Sequence, residues 1–548
     1  MRRRAGAVAA VVLSSALAAV VQQAASAAPT PPPSPQTRSA AAQRALSATA
    51  SHTSAVHGGA GQQFRVVDVN AGAHGTTHTR MVRTYKNLPV LGGDFIVHQN
   101  ANGEWLGVTQ TLRQAPATST SPKVTATAAE RAAAAATRET ASGAAQLVVE
   151  ARKGTPRLAW QVETTGSQAD GTPSRQLVTV DADNGKALVA AEQIWTLLAP
   201  RNARSVRTGT HPAAGRGKKG TQAAGDGKSL YSGTVPLQTT QSGSTYQLKD
   251  PSRGNTYTTD LHGGQGSDGP PMTDSDNHWG DGTGNDAATA GVDAQFGTNQ
   301  TWDYYKTVHG RTGIGNDGQG SHNNVHYGSG YANAFWSDNC FCMTYGDGDG
   351  SQMGPLVSLD VAGHEMSHGV TSRTANLVYQ GESGGLNEAT SDIFGTSVEF
   401  HANNASDPGD YLIGEEIMLQ GGALRYMDKP SKDGKSLDCW SPTAGTVNVH
   451  YSSGIANHFF YLLSEGSGAK TINGVQYNSP TCDGSTVTGI GRGDVEKIWY
   501  KALTSYFTSV TQYANARTGT LSAAKDLFGA GSTQYNAVGA AWSAVNVK

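Results

Sequence analysis

The sequence predicts an α+β chain in successive parts: a small α+β unit, a β-rich half and a mainly helical half. Three observations carry this. Residues near 60 to 195 alternate apolar and polar side chains around Asn/Gly turns, with one Ala-rich helical stretch between two strand groups. From about 220 to 355 Gly, Asp, Asn and aromatics dominate and long helical patterns are few. From Asp360 onward apolar residues recur at three- and four-residue spacing. A chain of 548 residues is too long for one ordinary core, so two to four domains are expected.

At the N-terminus, Arg2, Arg3 and Arg4 precede the apolar run "AVAAVVLSSALAAVV", Ala7 to Val21, and then the small residues Ala25 and Ala27. This is the pattern of a secretory signal over residues 1–27, cut after Ala27. The run is shorter than the ~20 residues that span a bilayer. No later stretch reads as a membrane span. The mature protein is therefore expected to be secreted, extracellular and free of the membrane. "PTPPPSP", Pro29 to Pro35, reads as a stiff polar linker.

In the first unit, Asp94 to Leu112 reads as a hairpin around an Asn/Gly turn. Thr127 to Gly143 is Ala-rich with polar ends and reads as a helix. "QLVVEA", "RLAWQVE" and "RQLVTVDADNGKALVAAE" alternate like strands, with Asp183-Asn184-Gly185 as a turn. Subdomains of about 60–115 and 120–195 follow, with no clustered catalytic residues. Arg201 to Lys219 is basic, bears Gly and Pro, and holds no acid. It reads as an exposed linker suited to maturation cleavage. The boundaries so drawn are 28–219, 220–365 and 366–548.

The formal net charge of −2 offers no argument for nucleic acid. The four cysteines all lie beyond residue 339, and an even count in an exported chain favours disulfides over metal ligation. Cys439 with Cys482 is the preferred pair. Cys340 and Cys342 remain as a C-x-C that closes a small ring if bonded.

"SLDVAGHEMSHGV", Ser358 to Val370, holds His364, Glu365 and His368. On a helix, positions i and i+4 share a face, so His364 and His368 present two imidazoles to one metal ion. Glu365 sits one residue round, where a carboxylate base stands beside a zinc-bound water. The third ligand must come from elsewhere. In "GGLNEATSDIFG", Gly384 to Gly395, Glu388 is the candidate. Asn387 and Asp392 are candidates to hold the far ring nitrogens of the histidines.

The H-E-x-x-H, followed about twenty residues later by N-E-A-x-S-D, resembles the thermolysin family of secreted zinc endopeptidases. "YANAFWSD", "VHYSSGIANHFFYLL" and the last helical stretch from Lys497 also match that family, from about 225 to 548. Residues 60 to 195 resemble its two-part propeptide. The resemblance implies a two-lobed metallopeptidase: a β-rich lobe, a helical lobe, the active-site helix in the cleft between them, and an α+β propeptide in front. It implies one catalytic zinc on His364, His368 and Glu388, with Glu365 as general base. It makes His450 and Tyr379 oxyanion donors, and Asn333, Ala334 and Arg425 binders of the substrate chain. Val361, Ile413, Ile417 and Leu424 become the wall that accepts a bulky apolar side chain just after the cut. The expected partners are protein and peptide substrates and the chain's own propeptide, acting as folding aid and inhibitor of a zymogen. A monomer is expected.

One departure stands out. The family usually has a carboxylate a few residues before the oxyanion histidine. Here Gly445 and Asn448 occupy the matching positions. Asn448 can hydrogen-bond His450 but cannot favour its charged form, so His450 is expected to titrate lower than in relatives; Asp438 is a substitute partner to consider. The resemblance also implies structural calcium on Asp360, Glu399, Asp410 and Glu415, because gathered carboxylates call for a hard cation. Leu412 replaces a further carboxylate of some relatives, which argues for one ion there. Asp274 and Asp276 match a separate, smaller calcium site. Two rival readings are another zinc hydrolase, such as an esterase, and a zinc-holding binding protein. The peptide-binding strand and apolar wall disfavour the first, and the presence of Glu365 disfavours the second.

Overall fold

The computed structural model describes residues 34–200 and 220–548. The expected signal and the basic segment at 201–219 lie outside the described residues. The first unit is built on a nine-stranded sheet. The predicted hairpin is present, with Phe95–Gln99 paired antiparallel to Trp105–Gln110. Leu88–Leu91 pairs in parallel with Thr140–Glu150 and so joins both strand groups into one sheet. The Asp183-Asn184-Gly185 turn links Pro173–Asp181 to Ala187–Glu192, with Gly185 at φ 78°, a conformation that glycine adopts freely.

Three helical readings need correction. The Ala-rich helix ends earlier than expected and spans Ala126–Thr137. Arg138 turns left-handed at φ 62°, and a strand begins at Thr140. Sheet pairing with Arg157–Ser167 there overrides the local helical composition. Of the linker read over Pro29 to Pro35, residues 29–33 lie outside the described residues, and Pro35 opens a helix, Pro35–Ser51, capped by Ser34. Its buried face is alanine (Ala41, Ala45), so it shows little apolar contrast. The β-rich half also contains a long buried helix, Ala287–His309. Its inner face carries Gln295, Thr298 and Asn299, which satisfy one another and Asn323 by hydrogen bonds, so polar residues mask its periodicity.

The second sheet runs in the order Ile194–Thr196, Ala334–Ser337, Cys342–Tyr345, His322–Val325, Thr256–Asp260, Lys249–Asp250. Its outermost strand therefore belongs to the end of the first unit. A five-stranded sheet is made from residues 221–279. The helical half comprises Leu359–Ser372, Gly381–Ala402, Gly454–Glu465, Arg492–Ser505, Tyr513–Phe528 and Thr533–Ala544. One apolar core runs through the β-rich and helical halves, with Phe459 stacked on Trp542 at 3.9 Å. Both cysteine pairs, Cys340–Cys342 and Cys439–Cys482, are bonded. Among the described residues no helix is long and apolar enough to cross a membrane.

The first unit docks on the helical half through polar contacts. Arg80 donates to the Leu503 and Thr504 carbonyls at a helix C-terminus, where a cation is favoured. Asp94 accepts from the Ser509 backbone N–H and hydroxyl at 2.8 and 2.5 Å. The same interface holds a buried pair, His78 and His98, whose Nδ1 atoms are 2.8 Å apart.

Candidate active site and metal centre

The helix Leu359–Ser372 is buried on nearly all sides and lies at the floor of the cleft. Helix Gly381–Ala402 packs closely against it. Two glycines permit this approach: a Cβ on Gly363 would meet the Gly395 Cα at 3.0 Å, and one on Gly395 would meet the Asp360 carbonyl at 2.6 Å. The close approach brings His364, His368 and Glu388 together, with candidate ligand atoms within 4.8 Å of one another.

The ring orientations are set from behind. His364 Nδ1 donates to Asp392 Oδ1 at 2.8 Å, and His368 Nδ1 donates to Asn387 Oδ1 at 2.8 Å. The Asn387 amide is itself oriented by donating to the Leu377 carbonyl. Both Nε2 atoms are therefore bare acceptors. They lie 3.1 Å apart, and the Glu388 carboxylate is 3.4 Å from His368 Nε2 and 3.7 Å from His364 Nε2. Acceptors facing one another without a proton between them suit a cation. The donor set of two imidazoles and one carboxylate suits zinc with an open fourth position.

The electrostatics agree. Burial opposes ionisation of Glu388, but His450, His368 and His364 outweigh it and hold the carboxyl at about 2. Burial lowers His364 to about 4, against the pull of Asp392. Burial also resists charge on Asp392, yet Arg425 and His364 keep it ionised well below the usual carboxylate range. Arg425 forms two hydrogen bonds to Asp392, at 2.6 and 2.8 Å. Glu365 is fully buried, and neither of its carboxylate oxygens has a hydrogen-bond partner. Burial, with Glu388 nearby, pushes its pKa well above the ordinary value.

On the opposite wall, His450 Nδ1 meets Asn448 Oδ1 at 2.8 Å. Asn448 is thus the orienting partner, while Asp438 is engaged with Ser431. Burial keeps His450 below its ordinary value, with Glu388 pulling the other way. Tyr379 donates to Glu388, and its hydroxyl is 3.1 Å from His450 Nε2.

The cleft is filled by residues 194–198, which the sequence reading did not place there. Ile194, Trp195 and Thr196 pair antiparallel with Ser337, Trp336 and Phe335. Leu197 N donates to the Ala334 carbonyl at 3.0 Å, and Asn333 bonds both the N–H and the carbonyl of Leu198. Arg425 Nη1 donates to the Leu197 carbonyl at 2.7 Å. His450 Nε2 meets the Thr196 carbonyl at 2.7 Å. The Leu197 side chain is fully buried in the core cluster that contains Val361, Ile413 and Ile417, against which Leu424 packs. The available signal was the apolar stretch "IWTLLA" between the last strand of the first unit and the basic segment.

Of the acids proposed for calcium, Glu399 and Glu415 lie together, and Asp407 joins them within 4.8 Å. Asp407 was missed; its signal was a second acid in "ASDPGD". Asp410 and Asp360 stand beside the trio, with Asp410 accepting from Leu412 N and Asp360 from Ser358 and Gly414. Burial pushes Glu399 and Glu415 well above the carboxylate range and Asp407 up to about 8, with the neighbouring acids adding to each. One oxygen on each of the three lacks a hydrogen-bond partner. Such a buried cluster fits a hard cation. Asp274 and Asp276 are in a different setting, a surface turn in which each accepts backbone N–H groups.

Residues 224–372 match the family description "Thermolysin metallopeptidase, catalytic domain", and 375–547 match its alpha-helical domain. Residues 62–112 match the "Fungalysin/Thermolysin Propeptide Motif". A transglutaminase-activating metalloprotease of Streptomyces mobaraensis is 51% identical over 498 residues, covering 89% of this chain and 61% of the relative. A thermolysin of Alicyclobacillus acidocaldarius is 35% identical over 500 residues, covering 86% of this chain and 84% of the relative. The chain thus spans about three-fifths of the length of the first relative and most of the second. Among solved structures, the precursor of protealysin from Serratia proteamaculans is similar at TM-score 0.41 and 26% identity, covering 54% of this chain and 87% of that one. A cleft lined by three facing acceptors, matched on both sides by catalytic and helical domains of one kind, leads to one conclusion: the chain belongs to the thermolysin metallopeptidase family.

Proposed function

We propose that the chain is a secreted zinc endopeptidase, made as a zymogen, that cuts on the N-terminal side of bulky apolar residues. The observation that carries this is a backbone segment bound as a substrate would be, over two bare imidazole nitrogens and a buried carboxylate. His364, His368 and Glu388 hold the zinc, which supplies a Lewis acid and an acidified water. Glu365 accepts the proton of the attacking water and returns it to the leaving nitrogen. His450 and Tyr379 donate to the oxygen that becomes negative. Asn333, the Ala334 carbonyl and Arg425 hold the substrate main chain, while Val361, Ile413, Ile417 and Leu424 receive the apolar side chain. The signal-like N-terminus supports export, and the propeptide motif supports an intramolecular inhibitor. The test is casein hydrolysis by the processed chain, with metal content measured alongside. We expect one zinc per chain and loss of hydrolysis on stripping, restored by zinc. Hydrolysis that persists without metal, or a zinc-loaded chain that leaves casein intact, overturns the reading.

Calcium on Glu399, Asp407 and Glu415, with Asp360 and Asp410 alongside, braces the catalytic helix, because Asp360 precedes His364 by one turn. Chelating calcium at constant zinc is expected to shorten the half-life at a fixed elevated temperature, on the order of ten-fold. Neutralising the cluster with Glu399→Gln should shrink that calcium dependence. An unchanged half-life in chelator removes the ion from the account.

A further inference from the structure

The cleft groups that hold residues 194–198 act on main-chain atoms, so they read register and not side-chain identity. The Ala334 carbonyl takes the Leu197 N–H, Asn333 takes both polar atoms of Leu198, Arg425 takes the Leu197 carbonyl, and three strand pairs hold Ile194 to Thr196. Together these bonds fix which carbonyl lies against His450: that of Thr196, at 2.7 Å, with the Tyr379 hydroxyl 3.4 Å away. On the other side of that carbonyl the amide leads to Leu197, whose side chain is fully buried in the apolar core that also contains Val361, Ile413 and Ile417. Trp195 adds a contact before the bond, with its ring 5.9 Å from Tyr379 and 5.5 Å from His368.

We propose that the Thr196–Leu197 peptide bond is the first bond this enzyme hydrolyses, within its own chain. The inference rests on the endopeptidase reading above and names the substrate of that same site. It moves the first maturation cut upstream of the basic segment at 201–219. A water oxygen bonds to the Thr196 carbonyl carbon and the bond to Leu197 nitrogen breaks. Thr196 leaves as a carboxylate and Leu197 as an ammonium: Glu365 passes the first proton taken from the water to the leaving nitrogen, and the proton of the remaining hydroxyl follows it there. Because bond and site share one chain, the reacting groups are held together without a second molecule, and the step is fast relative to cutting in trans. Thr at the position before the cut, Leu after it and Trp two before define a recognition sequence, Ile-Trp-Thr-Leu-Leu-Ala, carried by the zymogen itself.

The test follows processing of the full chain by intact mass and N-terminal sequencing at early times. The expected first products are one fragment ending at Thr196 and one beginning at Leu197, formed at a rate independent of chain concentration. Leu197→Asp puts a charge into the apolar wall and is expected to slow this cut at least about 100-fold, while Leu197→Phe retains it. Hydrogen exchange on the uncut Glu365→Gln chain reads the register without turnover: the amides of Leu197 and Leu198 should be protected, and exposed once Leu197→Asp is added. An enzyme that hydrolyses casein but whose earliest new N-terminus lies within 201–219 overturns this inference and leaves the proposed function standing. A chain that cuts neither itself nor casein overturns the function as well.

Discussion

Glu365→Gln is expected to lower peptide hydrolysis by about 10²–10⁴-fold, the range for removing a general acid–base group, while zinc content stays unchanged. The expectation follows from placement. The three facing acceptors are His364 Nε2, His368 Nε2 and Glu388, and Glu365 is not among them. Both of its oxygens are buried without a partner, and burial with Glu388 raises its pKa well above the carboxylate range. A divalent ion at the neighbouring site would be the largest local charge and would favour the ionised base. Glutamine keeps the shape and removes the basicity. Because the substitution also removes a buried ionisable group without a partner, thermal stability should hold or rise. Loss of zinc or of stability in the variant would assign Glu365 to the metal centre or the core instead.

Acidification is expected to loosen the propeptide. At its interface with the helical half, His78 Nδ1 and His98 Nδ1 share one hydrogen bond of 2.8 Å. His78 Nε2 lies 3.2 Å from Asp526 Oδ2, and His98 Nε2 meets Thr109. Tyr506 packs on both rings and donates to Asp526, Lys501 approaches Asp526 at 3.9 Å, and Arg80 lies beside them with Asp94 at 4.0 Å. Burial lowers His78 to about 4 and His98 to about 3, the latter also through His78. Free imidazoles titrate near 6.5. The docked state therefore binds fewer protons than the separated state. Docking is at full strength above about pH 6.5 and is lost as pH falls from there toward 4. One such histidine, lowered to about 4 when docked, weakens docking about fifteen-fold between pH 6.5 and 5. The retention of cleaved propeptide on the catalytic part, followed by gel filtration across this range, checks the figure. His98→Gln should flatten the dependence; a propeptide equally retained at pH 5 and 7 would rule the pair out as the cause.

The site was legible where local geometry decides it. Two histidines four apart on a helix share a face whatever the rest of the chain does, and Asn387 and Asp392 stand on the partner helix at the spacing needed to reach behind them. The missing carboxylate before His450 was also visible, and Asn448 fills its place. Three features were not legible, each for a physical reason. Asp407 and Asp410 lie three residues apart in an irregular loop, where sequence spacing does not tell which acid turns inward. Helix Ala287–His309 hides its inner face behind polar residues that satisfy one another. The seat of residues 194–198 depends on strand pairing between segments about 140 residues apart, and register across that distance is set only by the folded cleft.

The strand Ala334–Ser337 offers one free side to whatever lies in the cleft, and Ile194–Thr196 takes it. When that guest departs, the sheet is left with open donors and acceptors along its margin. A visiting chain must adopt an extended run of about five residues to satisfy them, as residues 194–198 do. A stably folded protein seldom has such a run free. Under the proposed function, selection among proteins would fall first on local unfolding, so that loosened loops and frayed tails would be trimmed while compact domains survive, and the side chain after the cut would decide only among segments already able to straighten.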